Sequence, residues 1–129
     1  MNLDATPESQ PHWDGLERGE YLVQRCAACG VHRHYPRPVC ARCHSLAFAW
    51  VACSGRGTVH SWTVAHQALD PSVEGQVPYV MATVDLEEGV RMMGRFHEVA
   101  PSDLRIGLPV RITFEAADDG LAIAALRPA

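Results

Sequence analysis

Polar and apolar side chains alternate from Pro109 to Glu115: Val110, Ile112 and Phe114 fall on one face, Arg111, Thr113 and Glu115 on the other. A period of two predicts a strand with one buried face. Residues 58–67, rich in β-branched and aromatic types, predict an earlier strand, and residues 78–86 another. The tight turn at Glu88-Gly89 returns the chain as a strand over 90–98, so these last two form a hairpin. Ala117-Asp118-Asp119-Gly120 is turn chemistry, and residues 121–126 supply a fifth strand. Between the third and fourth strands, Pro101-Ser102-Asp103-Leu104 opens a helical turn with Ser102 as its cap, and Gly107 ends it. Five strands with a short helical element in that place follow the order of the five-stranded Greek-key OB barrel.

The first part of the chain lacks this rhythm. Residues 1–12 are polar, contain two prolines and read as a loose arm. Trp13 to Val23 predicts a short helix weakened by Gly15 and Gly19. Residues 25–45 hold a cysteine cluster, 46–53 form an apolar strand-like run, and Ser54-Gly55-Arg56-Gly57 is a turn. The expected chain is mainly β: an arm and helix over 1–24, a zinc ribbon over 25–53 and an OB-fold barrel over 54–129. A composition of 47% hydrophobic and 20% charged residues over 129 residues supports a folded core. The longest apolar run, Leu46 to Cys53, is far shorter than the roughly 20 residues of a membrane helix. With no secretory leader visible at its start, the expected setting is cytoplasmic, with no membrane partner.

Cys26-Ala-Ala-Cys29 and Cys40-Ala-Arg-Cys43 are two CxxC pairs separated by ten residues. Each pair lets two sulfurs of a tight turn point at one ion, and two such turns complete a tetrahedral site. Thiolate softness selects zinc, ahead of iron in a rubredoxin-like site. A redox CxxC is expected within a βαβ pattern, which is absent from this reading. Four cysteine ligands leave no open coordination position, so the metal is expected to be structural. His32, His34 and His44 lie nearby as solvated or outer residues. Cys53, at the end of an apolar run, reads as a small buried hydrophobe.

Charge is spread unevenly. All eleven basic residues are arginine; residues 1–60 carry six against five acids, and residues 61–129 carry five against ten. A basic ribbon therefore precedes an acidic barrel. OB barrels read oligonucleotides on strands 2 and 3 and with the loops joining strands 1–2 and 4–5. Here those loops carry Asp70, Glu74, Asp118 and Asp119 and no basic residue, which repels phosphates. Only Tyr79 and Phe96 offer aromatic surface on strands 2 and 3. A single-stranded nucleic-acid-binding protein is therefore the alternative function, ranked second. No nucleophile elbow, phosphate loop or dinucleotide fingerprint appears. His60 and His66 are expected on one side of a common strand, but no acid–base pair can be assigned to a pocket, so no catalytic residue is named.

The ordered set Leu22-Val23-Gln24-Arg25-Cys26, Cys29-Gly30, Pro36-Arg37, Cys40-Ala41-Arg42-Cys43, Ser54-Gly55-Arg56-Gly57-Thr58-Val59, Pro78-Tyr79-Val80, Leu86-Glu87-Glu88-Gly89-Val90-Arg91 and Ile106-Gly107-Leu108-Pro109-Val110 covers nearly the whole chain. It resembles the rubredoxin-like zinc ribbon plus OB-fold family long known as domain of unknown function 35. The resemblance implies a non-catalytic accessory subunit rather than an autonomous enzyme. Its implied partner is a thiolase-fold or lipid-transfer-protein-like enzyme acting on acyl-CoA, with bacterial steroid side-chain degradation as one setting. A hot-dog-fold enoyl-CoA hydratase is a second implied partner. Arg25, Arg37, Arg42 and Arg56 become candidate contacts for CoA or for the partner, because guanidinium groups fork onto phosphates and carboxylates. Trp13 is a candidate interface anchor, with Trp50 and Trp62 divided between that role and the core.

Overall fold

The computed structural model describes residues 5–117 and 120–129. The one α-helix among the described residues, α1 (Gln10–Glu17), begins earlier than the sequence pattern predicts and stops before Val23. Pro11 sits in the first turn, where its missing N–H costs nothing. Gly19, at φ +76°, adopts the left-handed conformation that ends the helix. Its N–H donates to Leu16 O at 3.1 Å, and the Glu20 N–H donates to Gly15 O at 2.8 Å. These paired bonds form a Schellman stop, which frees Leu22 and Val23 to enter a strand.

That strand, β1 (Leu22–Cys26), is the centre of a three-stranded antiparallel sheet flanked by β2 (His32–Arg33) and β3 (Phe48–Ala52). Leu22 pairs with Ala52 and Cys26 with Phe48, while Gln24 pairs with Arg33. The apolar run thus becomes β3; the two-residue β2 carries no periodic signal and was not predicted.

The remaining strands are β4 (Arg56–Ala65), β5 (Tyr79–Leu86), β6 (Arg91–Phe96), β7 (Pro109–Ala116) and β8 (Ala122–Pro128). They close into a barrel in the order β4-β5-β6-β8-β7, with β4 and β7 also paired. The β6–β8 contact is parallel, at Phe96 and Leu126. A one-turn 3-10 helix over Pro101–Asp103 lies between β6 and β7, as predicted, though Ser102 makes no capping bond; the cap position is Ala100. Val80, Ala82, Val84 and Leu86 alternate inward from β5, and Met92 and Phe96 from β6. Val110 and Ile112 do the same from β7, but Phe114 lies near the strand's end and stays 37% exposed.

Ala125 and Leu126 are adjacent on β8, and both are fully buried. Successive strand residues point to opposite faces. One therefore fills the barrel while the other is covered from outside, where α1 packs against β8 and β1. Leu16 and Tyr21 join the same core as Val59 and Leu126, so helix, ribbon and barrel share one apolar centre. Among the described residues no helix is long and apolar enough to cross a membrane.

Candidate functional site

The two CxxC segments fold as two copies of one turn. In the first, the Cys26 N–H donates to Val31 O and the Gly30 N–H to Cys26 O. In the second, the Cys40 N–H donates to Ser45 O and the His44 N–H to Cys40 O. The residue after each second cysteine has positive φ: Gly30 at +78° and His44 at +65°. Glycine reaches that conformation freely, whereas a side chain there carries strain. His44 therefore occupies the turn position of a glycine.

β1 delivers Cys26 to the first turn. Together the turns bring the four sulfurs of Cys26, Cys29, Cys40 and Cys43 within 4.8 Å of one another. Cys26 and Cys43 sulfurs are 3.5 Å apart, and those of Cys29 and Cys40 are 3.7 Å apart. A tetrahedral ion with zinc–sulfur bonds of about 2.3 Å requires edges of roughly 3.8 Å, so the cluster is sized for one such ion. Cys26 and Cys40 are buried, Cys29 and Cys43 exposed, and none is in a disulfide.

The thiols also resist sharing charge without a cation. The Cys29 N–H, helped by neighbouring donors, holds the Cys26 thiol down at about 6 against the opposing effect of burial. At Cys43 the Ser45 N–H pulls the same way, but the other three cysteines and burial together push the thiol up to about 11. One thiolate thus forms readily while another is suppressed by its neighbours. A divalent ion would relieve that repulsion, and the donor set fits structural zinc.

Around this centre the arginines separate. Arg25 is exposed and its Nε donates to Gly30 O at 3.3 Å, over the first turn. Arg37 and Arg42 are exposed and line a groove of 620 Å³ between the ribbon and the β5–β6 hairpin. Arg33 and Arg91 line the same groove. Arg56 lies apart on β4, where Glu87 takes its Nε at 3.0 Å and its Nη2 at 3.2 Å. Its charge is therefore already met within the chain.

Trp13 is half-buried, packs on the core and lines a smaller cavity of 240 Å³ with His12, Tyr21, His34 and Met92. Sequence reasoning missed this aromatic cluster. His12 donates Nδ1–H to Leu22 O at 2.7 Å, and the Tyr21 hydroxyl lies 3.0 Å from His34 Nε2. Burial, and then the neighbouring His12, lower His34 to about 4; burial also lowers His12 and raises the Tyr21 phenol.

Other expectations change. Cys53 is half-buried rather than buried, and packs against the core; burial and Glu88 push its thiol up to about 12. His60 and His66 do not share a strand face, because the β4–β5 register shifts between Val59 and Ser61 and β4 ends at Ala65. Phe96 is buried in the barrel and Tyr79 is stacked by Arg95 at 4.9 Å, so neither is an open platform for bases. Trp50 is half-buried, and Trp62 is 38% exposed. Asp118 and Asp119 lie outside the described residues.

Two family models match successive parts of the chain. The family described as "ChsH2, rubredoxin-like zinc ribbon domain" matches residues 13–49, and "ChsH2, C-terminal OB-fold domain" matches residues 50–115. A protein of Methanocaldococcus jannaschii named "DUF35 domain-containing scaffold protein" is 36% identical over 110 residues, which are 81% of this chain and 77% of that protein. The "3-oxo-4,17-pregnadiene-20-carboxyl-CoA hydratase alpha subunit" of Mycobacterium tuberculosis is 45% identical over 115 residues, 88% of this chain. The chain spans only 36% of that subunit's length, and 36% of a similar "Probable enoyl-CoA hydratase alpha subunit" from Thermomonospora curvata. Among solved structures, a chain of the "Ltp2-ChsH2(DUF35) aldolase" superposes with a TM-score of 0.89 at 34% identity, covering 98% of both chains.

Proposed function

This chain belongs to the zinc-ribbon plus OB-fold family of DUF35 scaffold proteins, and from that premise we propose that it is a non-catalytic accessory subunit of an acyl-CoA-processing enzyme. The observation that carries the reading is the end-to-end likeness to the DUF35 chain of an aldolase complex. The partner is a thiolase-fold or lipid-transfer-protein-like enzyme, a thiolase or a retro-aldol lyase. A CoA hydratase is the second partner, supported by the names of the longer relatives that contain this unit. One of those names refers to a steroid-derived thioester, which supports steroid side-chain degradation as the setting. The cytoplasm is the matching compartment.

The metal centre supports a scaffold role. Four cysteines fill a tetrahedral ion and leave no position for substrate. The ion held by Cys26, Cys29, Cys40 and Cys43 therefore supplies rigidity: it ties β1 to the segment leading into β3. In this reading Trp13, Arg25, Arg37 and Arg42 face the partner or its CoA thioester. Arg56 keeps its Glu87 contact while presenting its remaining N–H donor.

The test is a tagged capture from extract of the native cell, followed by mass spectrometry and size analysis. A stoichiometric thiolase-fold acyl-CoA enzyme in the eluate is the expected result. Nuclease-sensitive nucleic acid without any stoichiometric protein would overturn the reading in favour of an oligonucleotide-binding barrel.

A further inference from the structure

Arg33 is only 7% exposed. Its Nε donates to Gln24 Oε1 at 2.7 Å and its Nη2 to Arg37 O at 2.8 Å. The guanidinium lies 5.0 Å from the centre of the Phe48 ring. Nη1 is shielded from water and has no hydrogen-bond partner among the described residues. Among the described residues no carboxylate pairs with Arg33. Burying a cation without a counter-charge is costly, and native structures seldom leave such a donor empty.

The groove that Arg33 lines repeats the imbalance. Arg37, Arg42, Arg91 and His32 also line it, with one carboxylate, Asp85. Asp85 is committed to Arg91 at 2.6 Å. Arg37 and Arg42 make no ion pair among the described residues. Four guanidinium groups thus face one carboxylate, and once the two net negative charges of a zinc tetrathiolate are counted, whose Cys40 also lines the groove, one positive charge remains in excess. The volume of 620 Å³ exceeds what a bare oxyanion fills and lies in the range of small-molecule sites.

We propose that this groove is a phosphate-binding site, with Arg33 as its buried anchor and Arg37 and Arg42 as its outer clamps. A phosphate meets that positive excess, and planar guanidinium groups pair with its oxygens two at a time. Nη1 of Arg33 is the donor left unpaired for one of those oxygens. The inference rests on the contact role given above to Arg37 and Arg42, and because it is tested on the isolated chain its failure is distinguishable from failure of the subunit reading.

Calorimetric titration and backbone amide NMR of the zinc-loaded full chain test it, with inorganic phosphate and ADP as probes. Saturable binding at about millimolar phosphate or tighter is expected, with shifts confined to residues 31–42 and 85–91. Tighter binding of ADP would identify a nucleotide-type ligand, and equal affinity a free phosphate; both support the site. Arg33→Met is expected to abolish binding. Arg37→Gln and Arg42→Gln, at exposed positions without ion-pair partners, keep the fold and are each expected to weaken binding about three- to tenfold. Two results would overturn the proposal. One is no saturable binding, which would leave the negative charge of the metal–thiolate centre to balance Arg33. The other is binding that Arg37→Gln and Arg42→Gln leave unchanged.

Discussion

Gln24 occupies a position where a single atom joins two elements. It is 1% exposed at the centre of β1. Its Oε1 accepts from Arg33 Nε at 2.7 Å and from the Arg37 N–H at 2.8 Å. Gln24→Leu keeps the bulk and removes the acceptor. The bond from a charged donor is worth about 1.5–3 kcal/mol and the backbone bond about 0.5–1.5 kcal/mol. The substituted leucine gains little from burial, because Gln24 is already enclosed. A loss of about 3 kcal/mol follows, near the middle of the summed range. Urea unfolding of the zinc-loaded protein at neutral pH measures it, at unchanged slope. The cost has a second signature. Replacing both members of a buried polar pair by apolar groups is far milder than orphaning one of them. Gln24→Leu combined with Arg33→Met should therefore be more stable than the sum of the single losses by at least about 1.5 kcal/mol. A single-variant loss below about 1 kcal/mol, or strict additivity in the cycle, would refute the reasoning.

Two further outcomes follow from the metal centre and the aromatic cluster. Cys40→Ser, or a strong chelator on the unmodified chain, should melt the ribbon, since apparent zinc-binding energies of about 10–16 kcal/mol match or exceed a domain's whole stability. Metal analysis and circular dichroism read it; retained zinc at one per chain would refute it. Native His34 stays neutral to about 4, whereas the unfolded imidazole protonates near 6.5. The unfolded state therefore binds more protons in that interval, and stability is full above about 6.5 and falls as pH drops toward about 4. Between pH 7 and 5.5 His34 accounts for a loss of about 1 kcal/mol, which His34→Gln should remove from the urea midpoint profile.

The metal ligands were legible because a CxxC turn is a local object: spacing alone aims two sulfurs at one point. The barrel was nearly as legible. The alternation of β5 and the Glu88-Gly89 turn encode a hairpin, and the only major error in β4, the placing of His60 against His66, came from a register shift invisible to a count of two. The helix was misplaced because Gly19 was read as a weak interior residue, when its left-handed conformation is the stop. The groove could not be read at all. Arg33 and Arg91 are far apart in sequence and meet only because the ribbon packs beside the β5–β6 hairpin. A composition count sees eleven arginines alike; burial makes Arg33 different, and Glu87 makes Arg56 different in the opposite sense. Gln24 gave no signal, because a lone glutamine on a strand gains its role from the two hydrogen bonds that end on it.

Closure of the barrel has a consequence for how another polypeptide can join this one. With β4 bonded to both β5 and β7, and β6 bonded to β8, the barrel presents no unpaired strand among the described residues. The three-stranded sheet does end in open edges, at β2 and β3. β2 is two residues long, too short to template a neighbour, whereas β3 runs for five, from Phe48 to Ala52. Unpaired strand edges are where foreign chains add. On this sheet, main-chain recognition, whether productive or an aggregation hazard, is thereby confined to one short strand whose register against β1 is pinned by the same knuckle that holds Cys26.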